Sequence, residues 1–346
     1  MLIKSIRLNN YRNYSNYYIE LDPNINIVIG NNGIGKTNLL ESIIVISNTK
    51  SFRTLIDKDL IKKNEEYLKI ELNSDINKYK IVINKNNKSL YINNNLIKRT
   101  SDYLGKINAV LFKPSDLTLF SESPSIRRRE IDIEISKINN NYLLNLTKYN
   151  SLLADKNKLL KELEIDEMLL SIINESMIKN IETIILEREK FFEEINKNLT
   201  YFYNKISNAN NKLEIIYKKC SEIKDIKDNL LNSKEKDNYY HYATFGPHHD
   251  DYCFMLNNYE LKSIASQGQE RMAMIAYKFS LIKYIEKITK ESPILLLDDI
   301  LSELDKDNEE RLLDILPSNN QIIITNTDIN NLKINKKYKL IEIKEK

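Results

Sequence analysis

The sequence predicts an α/β fold, a mixed sheet with flanking helices, interrupted by an inserted helical lobe. Three observations lead to it. A short apolar run at 25–29 enters a glycine loop and then a Gly- and Pro-free stretch at 38–46, which reads as strand, loop and helix. Between 125 and 208 glycine and proline are absent and apolar residues recur at helical spacing. From Ser266 onward, helix alternates with buried strand again. The expected organisation is 1–124 as the first part of a head, 125–240 as the inserted lobe and 241–346 as the returning part.

Taken in order, residues 1–8 alternate apolar with polar, as a strand does. Three β-prone segments, 67–72, 79–83 and 89–92, follow the first helix and are separated by Asn/Lys turns. Residues 107–112 read as a further strand, stopped by Lys113-Pro114. Within the lobe, 178–203 reads as part of an extended helix. Sustained heptads are lacking, so a packed helical lobe is expected in place of a long coiled coil. Strand and turn signals return at 212–217 and at Gly246-Pro247. Finally, 270–285 reads as helix, and 293–299 and 321–327 as buried strands ending in polar residues.

The chemistry concentrates where strands end. Gly30-Asn31-Asn32-Gly33-Ile34-Gly35-Lys36-Thr37, with Asn38 opening the helix, fits G-x-x-x-x-G-K-[ST] in the strand–loop–helix context that the pattern requires. Glycines let backbone N–H groups curl around phosphates, and the helix N-terminus adds a favourable dipole. Lys36 brings a cation to the β- and γ-phosphates, and the Thr37 hydroxyl can ligate Mg²⁺. The run at 293–299 ends in Asp298-Asp299. Ligands of parallel sheets sit beyond the carboxyl ends of strands. Asp298 is therefore expected beside the loop as a Mg²⁺ ligand, and Asp299 as the base that orients and deprotonates an attacking water. Ser266-Gln267-Gly268-Gln269 precedes a helix; it reads as an ordinary Ser cap or as a second anion-binding corner.

Composition excludes more than it assigns. A net charge of +3 over 346 residues does not by itself indicate nucleic acid. Locally, residues 50–113 carry 14 Lys and Arg against 7 Asp and Glu, a basic excess that suits a phosphate backbone or a solvated face. Two distant cysteines, Cys220 and Cys253, imply a reducing compartment, and the three histidines do not stand at zinc-ligand spacing with them. No apolar run reaches the roughly 18 residues of a membrane span, and the N-terminus lacks the apolar core of a signal peptide. A cytoplasmic protein without membrane contact is expected.

Together these segments carry a family resemblance. The phosphate loop, the S-x-G-Q corner, the strand ending in Asp-Asp and Ser302-Glu303-Leu304-Asp305 after it look like an ABC-type P-loop ATPase head, as in chromosome-maintenance proteins. Finer matches resemble the RecF family of bacterial DNA replication and repair proteins. They include Leu8-Asn9-Asn10-Tyr11-Arg12-Asn13-Tyr14, Ser51-Phe52-Arg53, Phe112-Lys113-Pro114-Ser115-Asp116-Leu117, Gly246-Pro247-His248 and Ser266-Gln267-Gly268-Gln269-Glu270-Arg271. The chain departs from that pattern at His249, Ser115 and Glu130, and 154–157 keeps only the final Asn of a Gln-Arg-Asn motif.

The resemblance implies ATP and Mg²⁺ as cofactors and a C2 dimer closing over two ATP molecules. Lys36, Thr37 and Asp298 would bind in cis with Asp299 as base, while Ser266, Gly268 and Gln269 would meet the γ-phosphate in trans. It further implies weak, DNA-stimulated ATP hydrolysis and binding at single-strand/double-strand junctions or gaps. RecR and RecO would be partners in loading RecA. Arg12 could reach a phosphate, Arg53 a nucleotide or DNA, and the triplet Arg127-Arg128-Arg129 either DNA or the acids of its own helix. Three alternatives compete. An ABC-type ATPase subunit with a non-DNA partner, such as a transporter subunit, would have a much shorter insertion than the 230 residues between Lys36 and Ser266. A small-molecule kinase has no use for the second corner, and a non-hydrolysing scaffold needs no Asp299.

Overall fold

The computed structural model describes residues 1–328 and 337–344. The chain begins with β1 (Ile3–Tyr11), β2 (Tyr14–Glu20), β3 (Ile25–Ile29), α1 (Lys36–Asn48), β4 (Tyr67–Ser74), β5 (Lys78–Asn84), β6 (Lys88–Ile92), β7 (Asn95–Ile97), α2 (Thr100–Tyr103) and β8 (Ala109–Phe112). It continues through α3 (Pro124–Ile138), α4 (Asn140–Leu159), α5 (Glu167–Ser207), β9 (Leu213–Lys218), α6 (Ile226–Asn232), α7 (Lys234–Tyr240), β10 (Asp251–Leu256), β11 (Tyr259–Glu260) and α8 (Leu261–Ile264). The last elements are α9 (Gln267–Thr289), β12 (Ile294–Asp298), α10 (Lys306–Ile315), β13 (Ile322–Asn326) and β14 (Tyr338–Glu342).

Two compact units result. The first contains residues 1–116, 201–209 and 274–346; the second contains 117–200 and 210–273. In the first, β12 and β13 are buried at every position, as a strand covered on both faces must be. They sit centrally in a wholly parallel sheet of order β14-β3-β13-β12-β8. By contrast β4 and β5 alternate buried with partly exposed positions, and they belong to an antiparallel sheet of order β2-β1-β4-β5-β6-β7. The mixture of strand directions is thus divided between two sheets. Helix α1 packs against both, with Leu39, Leu40, Ile43, Ile44, Val45 and Ile46 all in the same apolar core as Ile6, Leu8, Ile70, Ile81, Leu296 and Ile323.

The second unit gathers α3, α4, most of α5 and a three-stranded antiparallel sheet, β11-β10-β9. Its centre is a buried cation. Arg188 donates to Asp132 at 2.9 Å, Asp250 at 2.7 Å, the Pro247 carbonyl at 2.8 Å and the Tyr142 hydroxyl at 3.0 Å, so its charge is compensated on all sides.

The unit boundaries differ from the sequence expectation. Residues 241–273, assigned above to the returning head, cluster with the helical unit, and 201–209 cluster with the head. Both boundaries fall inside helices, α5 and α9, where local composition does not change. Helix α9 also begins earlier than expected, at Gln267, and β2 and β14 had no counterpart in the sequence reading. Among the described residues, no helix is long and apolar enough to cross a membrane.

Candidate nucleotide site

The loop after β3 is shaped by its own backbone and by the turn between β1 and β2. Gly35, just before α1, has φ +123°, where side chains are disfavoured. A Cβ there would stand 2.7 Å from Asn13 Nδ2 and 2.8 Å from the Tyr14 hydroxyl. Those two residues clamp the loop: Asn13 Nδ2 donates to the Ile34 carbonyl at 2.6 Å, and Tyr14 donates to the Gly35 carbonyl at 3.0 Å. Asn38 on α1 completes the contact by donating to Asn13 Oδ1 at 2.8 Å. The buried Lys36 ammonium donates to the carbonyls of Gly30 at 2.8 Å and Asn31 at 3.2 Å. Asn32, Gly33, Gly35, Lys36, Thr37, Asn38, Arg53 and Asp299 line one open cleft.

Parallel pairing brings the second half of the site to the loop. Asp298, at the end of β12, is adjacent to Thr325 of β13. Asp298 Oδ1 accepts from Thr37 Oγ1 at 3.0 Å and from Thr325 Oγ1 at 2.9 Å. Burial pushes the Asp298 carboxyl above the usual carboxylate range and the neighbouring Asp299 adds to this, while the two hydroxyls and Lys36 oppose it. Asp299 lies past the strand end with φ 49°. Its Oδ1 is buried without a hydrogen-bond partner, and burial raises its pKa against the pull of Lys36. A partly desolvated carboxylate with no partner of its own is a competent proton acceptor.

Several site residues were not foreseen. Glu41 on α1 is fully buried and accepts from Arg12 Nε at 2.9 Å, Arg12 Nη2 at 2.6 Å and Ser51 Oγ at 2.6 Å. Arg12 Nη1 donates to the Asp59 carbonyl at 3.1 Å, so each of the three guanidinium nitrogens has a partner within the protein. Arg53 does face the cleft. Its Nη1 donates to Asn38 Oδ1 at 2.7 Å, and its amide donates to Ser51 Oγ at 2.8 Å. Thr325 is another residue missed, because nothing local to it marks a strand-end threonine as a partner of Asp298.

Ser266, Gly268 and Gln269 lie in the second unit, all exposed, at the start of α9. The Gln269 amide donates to Ser266 Oγ at 3.3 Å, and the Ser266 amide to Gln269 Oε1 at 3.0 Å. This is a reciprocal capping box, with Gly268 adding no side chain above it. In the arginine triplet, Arg127 forms a bidentate pair with Asp251 at 2.8 and 2.6 Å, and Arg128 donates to the Asp250 carbonyl at 2.6 Å. These hydrogen bonds go to the segment at 250–251 and not to the acids of their own helix; Arg129 is exposed.

The residues fit a triphosphate with Mg²⁺. The buried cation, the glycine cradle and the unpartnered Asp299 oxygen converge on one cleft. Among the described residues no group of three or more His, Cys, Asp or Glu could hold a metal. Thr37 and Asp298 supply a hydroxyl and a carboxylate, a set that suits an octahedral ion arriving with phosphate and water ligands.

Comparison with known proteins places the chain in a family. Residues 2–346 match the family described as RecF/RecN/SMC N terminal domain. The DNA replication and repair protein RecF of Clostridium perfringens is 39% identical, over 96% of this chain and 94% of its own. That of Lachnoclostridium phytofermentans is 35% identical, over 99% and 98%. The solved recombination mediator protein RecF–ATP of the RecFOR pathway superposes with a TM-score of 0.89 at 33% identity, covering 96% of this chain and 93% of that one. The Smc head domain of Pyrococcus furiosus, at 19% identity and a TM-score of 0.54 over 94% of this chain and 90% of that one, shares the fold. The chain has an ABC-type α/β ATPase head and belongs to the RecF family of DNA replication and repair proteins.

Proposed function

We propose that this protein binds and hydrolyses ATP with Mg²⁺ and uses the nucleotide to close a homodimer on DNA. The observation that carries the reading is the Thr37–Asp298 hydrogen bond at 3.0 Å, with Lys36 and Asp299 in the adjoining cleft. The RecF–ATP likeness supports it. Lys36 would leave the loop carbonyls for phosphate oxygens. Thr37 and Asp298 would hold Mg²⁺, which when bound neutralises charge on the transferred phosphoryl group. Asp299 would take the proton as water attacks the γ-phosphorus and ADP departs.

The exposed Ser266–Gly268–Gln269 corner would complete the site of a second copy, giving an isologous dimer. ATP then favours the closed form because its γ-phosphate contacts both chains, and hydrolysis removes that contact. DNA at gaps or junctions would lie along the basic 50–113 segment, and slow, DNA-stimulated turnover would release it. RecR and RecO, whose pathway the RecF–ATP relative shares, and through them RecA, are the partners this reading implies. The test is Asp299→Asn: it should keep ATP binding, stall hydrolysis and run as a persistent dimer with ATP on size exclusion. A variant that binds ATP yet stays monomeric, or hydrolyses at the wild-type rate, would refute the assignment.

A further inference from the structure

A hydroxyl offers one proton and two lone pairs, and Thr325 uses both kinds of capacity between the Asp298 carboxylate and the Asp299 backbone. Its Oγ1 donates to Asp298 Oδ1 at 2.9 Å and accepts from the Asp299 amide at 3.1 Å. The other available acceptor, the Leu297 carbonyl, is 3.4 Å away, so the shorter contact takes the proton. Thr325 is 1% exposed, which removes competing water. Asp299 has a side-chain oxygen without a hydrogen-bond partner, so its direction is set by its backbone. That backbone lies in the left-handed region and is held from two sides. Thr325 takes its N–H, and Ser302 Oγ donates to its carbonyl at 2.7 Å. Both hydroxyl donors to Asp298, from Thr37 and Thr325, meet at Oδ1, and Oδ2 carries neither bond.

We propose that Thr325 is a positioning residue for hydrolysis: its hydroxyl ties the carboxylate of Asp298 to the backbone of Asp299, so that metal ligand and base are set as one unit. The proposal rests on the roles given above to Asp298 and Asp299. The residue acts through them and touches no reacting atom. Its prediction is a split between binding and turnover that a packing role would not produce, because Thr→Val preserves shape and removes only the hydroxyl.

The experiment compares Thr325→Val, Thr325→Ser and Asp299→Asn with wild type. It uses single-turnover ATP hydrolysis, ATP KM, and a Mg²⁺ titration of fluorescent ATP-analogue binding. Thr325→Val should lower kcat by about tenfold or more with KM changed less than about threefold. It should also raise the Mg²⁺ concentration for half-maximal binding by at least about threefold, because Asp298 has lost one of two fixing donors. Thr325→Ser should remain within about threefold of wild type on every measure. If Thr325→Val does not fold, Thr325→Ala gives the same comparison. Wild-type turnover and Mg²⁺ midpoint in the hydroxyl-free variant would overturn the proposal. So would a lowered melting temperature with an unmoved Mg²⁺ midpoint, or a serine variant as impaired as valine. Asp299→Asn separates the two levels. Full activity there sinks the roles of the carboxylates themselves, whereas an inactive Asp299→Asn beside a normal Thr325→Val removes Thr325 alone.

Discussion

Arg12 stands in a segment that resembles RecF proteins and could have been a phosphate ligand; its geometry makes it structural. Replacing it by Met keeps the aliphatic stem and removes both charge-assisted bonds to Glu41, at 2.9 and 2.6 Å. The Glu41 side chain is 0% exposed and that of Arg12 19%. Removing one partner of a buried ion pair costs roughly 3–5 kcal/mol, because the remaining charge is left in a low-dielectric setting. Here Ser51 still donates at 2.6 Å and Arg53 stands 3.7 Å away, so the loss belongs at the lower end, about 3 kcal/mol. For a cooperative unit of about 200 residues that corresponds to a fall in Tm of about 6–12 °C. Differential scanning calorimetry measures the shift, and isothermal titration with ATP measures affinity on the folded variant. ATP affinity at 20 °C should remain within about threefold, since all three guanidinium nitrogens are bonded within the protein and Arg12 does not line the cleft. A Tm within about 2 °C of wild type combined with a tenfold or larger loss of ATP affinity would refute the reasoning and make Arg12 a nucleotide ligand.

Lys36→Ala removes a buried cation whose proposed hydrogen bonds to phosphate would be worth about 1.5–3 kcal/mol; ATP affinity should fall by at least tenfold, and ATP should no longer drive dimerisation on size exclusion. Affinity for gapped DNA should fall linearly on a log–log plot against salt, by about a thousandfold between 50 and 200 mM if some six phosphates are neutralised, and a flat response would remove the basic 50–113 segment from the interface. His248 is half-buried and its pKa is depressed to about 4, mainly by desolvation, with His249, Arg128 and Lys156 adding to the effect. The unfolded chain therefore binds the proton first, and the stability of the second unit should fall as pH drops from about 6.5 through 4, by up to about 3 kcal/mol; pH-dependent urea unfolding of wild type against His248→Asn checks this, the variant lacking that part of the slope.

What could be read in advance, and what could not, follows from how far apart the cooperating residues lie. The loop was legible because its signal is local and rare here: the chain has only six glycines, and three of them, all at positive φ, fall in 30–35. The strand at Ile294–Asp298 was legible because full burial demands an unbroken apolar run. Asn13, in contrast, is one of many asparagines in an Asn-rich chain. Its role as a clamp on Ile34 appears only when the β1–β2 turn folds over the loop, 21 residues distant. Glu41 reads as one more polar position on a helix, because the residues that make it buried, Arg12 and Ser51, come from separate loops. Thr325 is the sharpest case. Its identity as a strand-end threonine is visible, yet its meaning depends on the one-residue register that sets it beside Asp298 and not beside Leu297. A slip of one residue would turn its side chain to the opposite face of the sheet, so the pairing of β12 with β13 is itself part of the catalytic apparatus proposed here. Substitutions that preserve every named site residue but loosen that pairing, at Ile322 or Leu295 for example, should impair hydrolysis before they impair ATP binding.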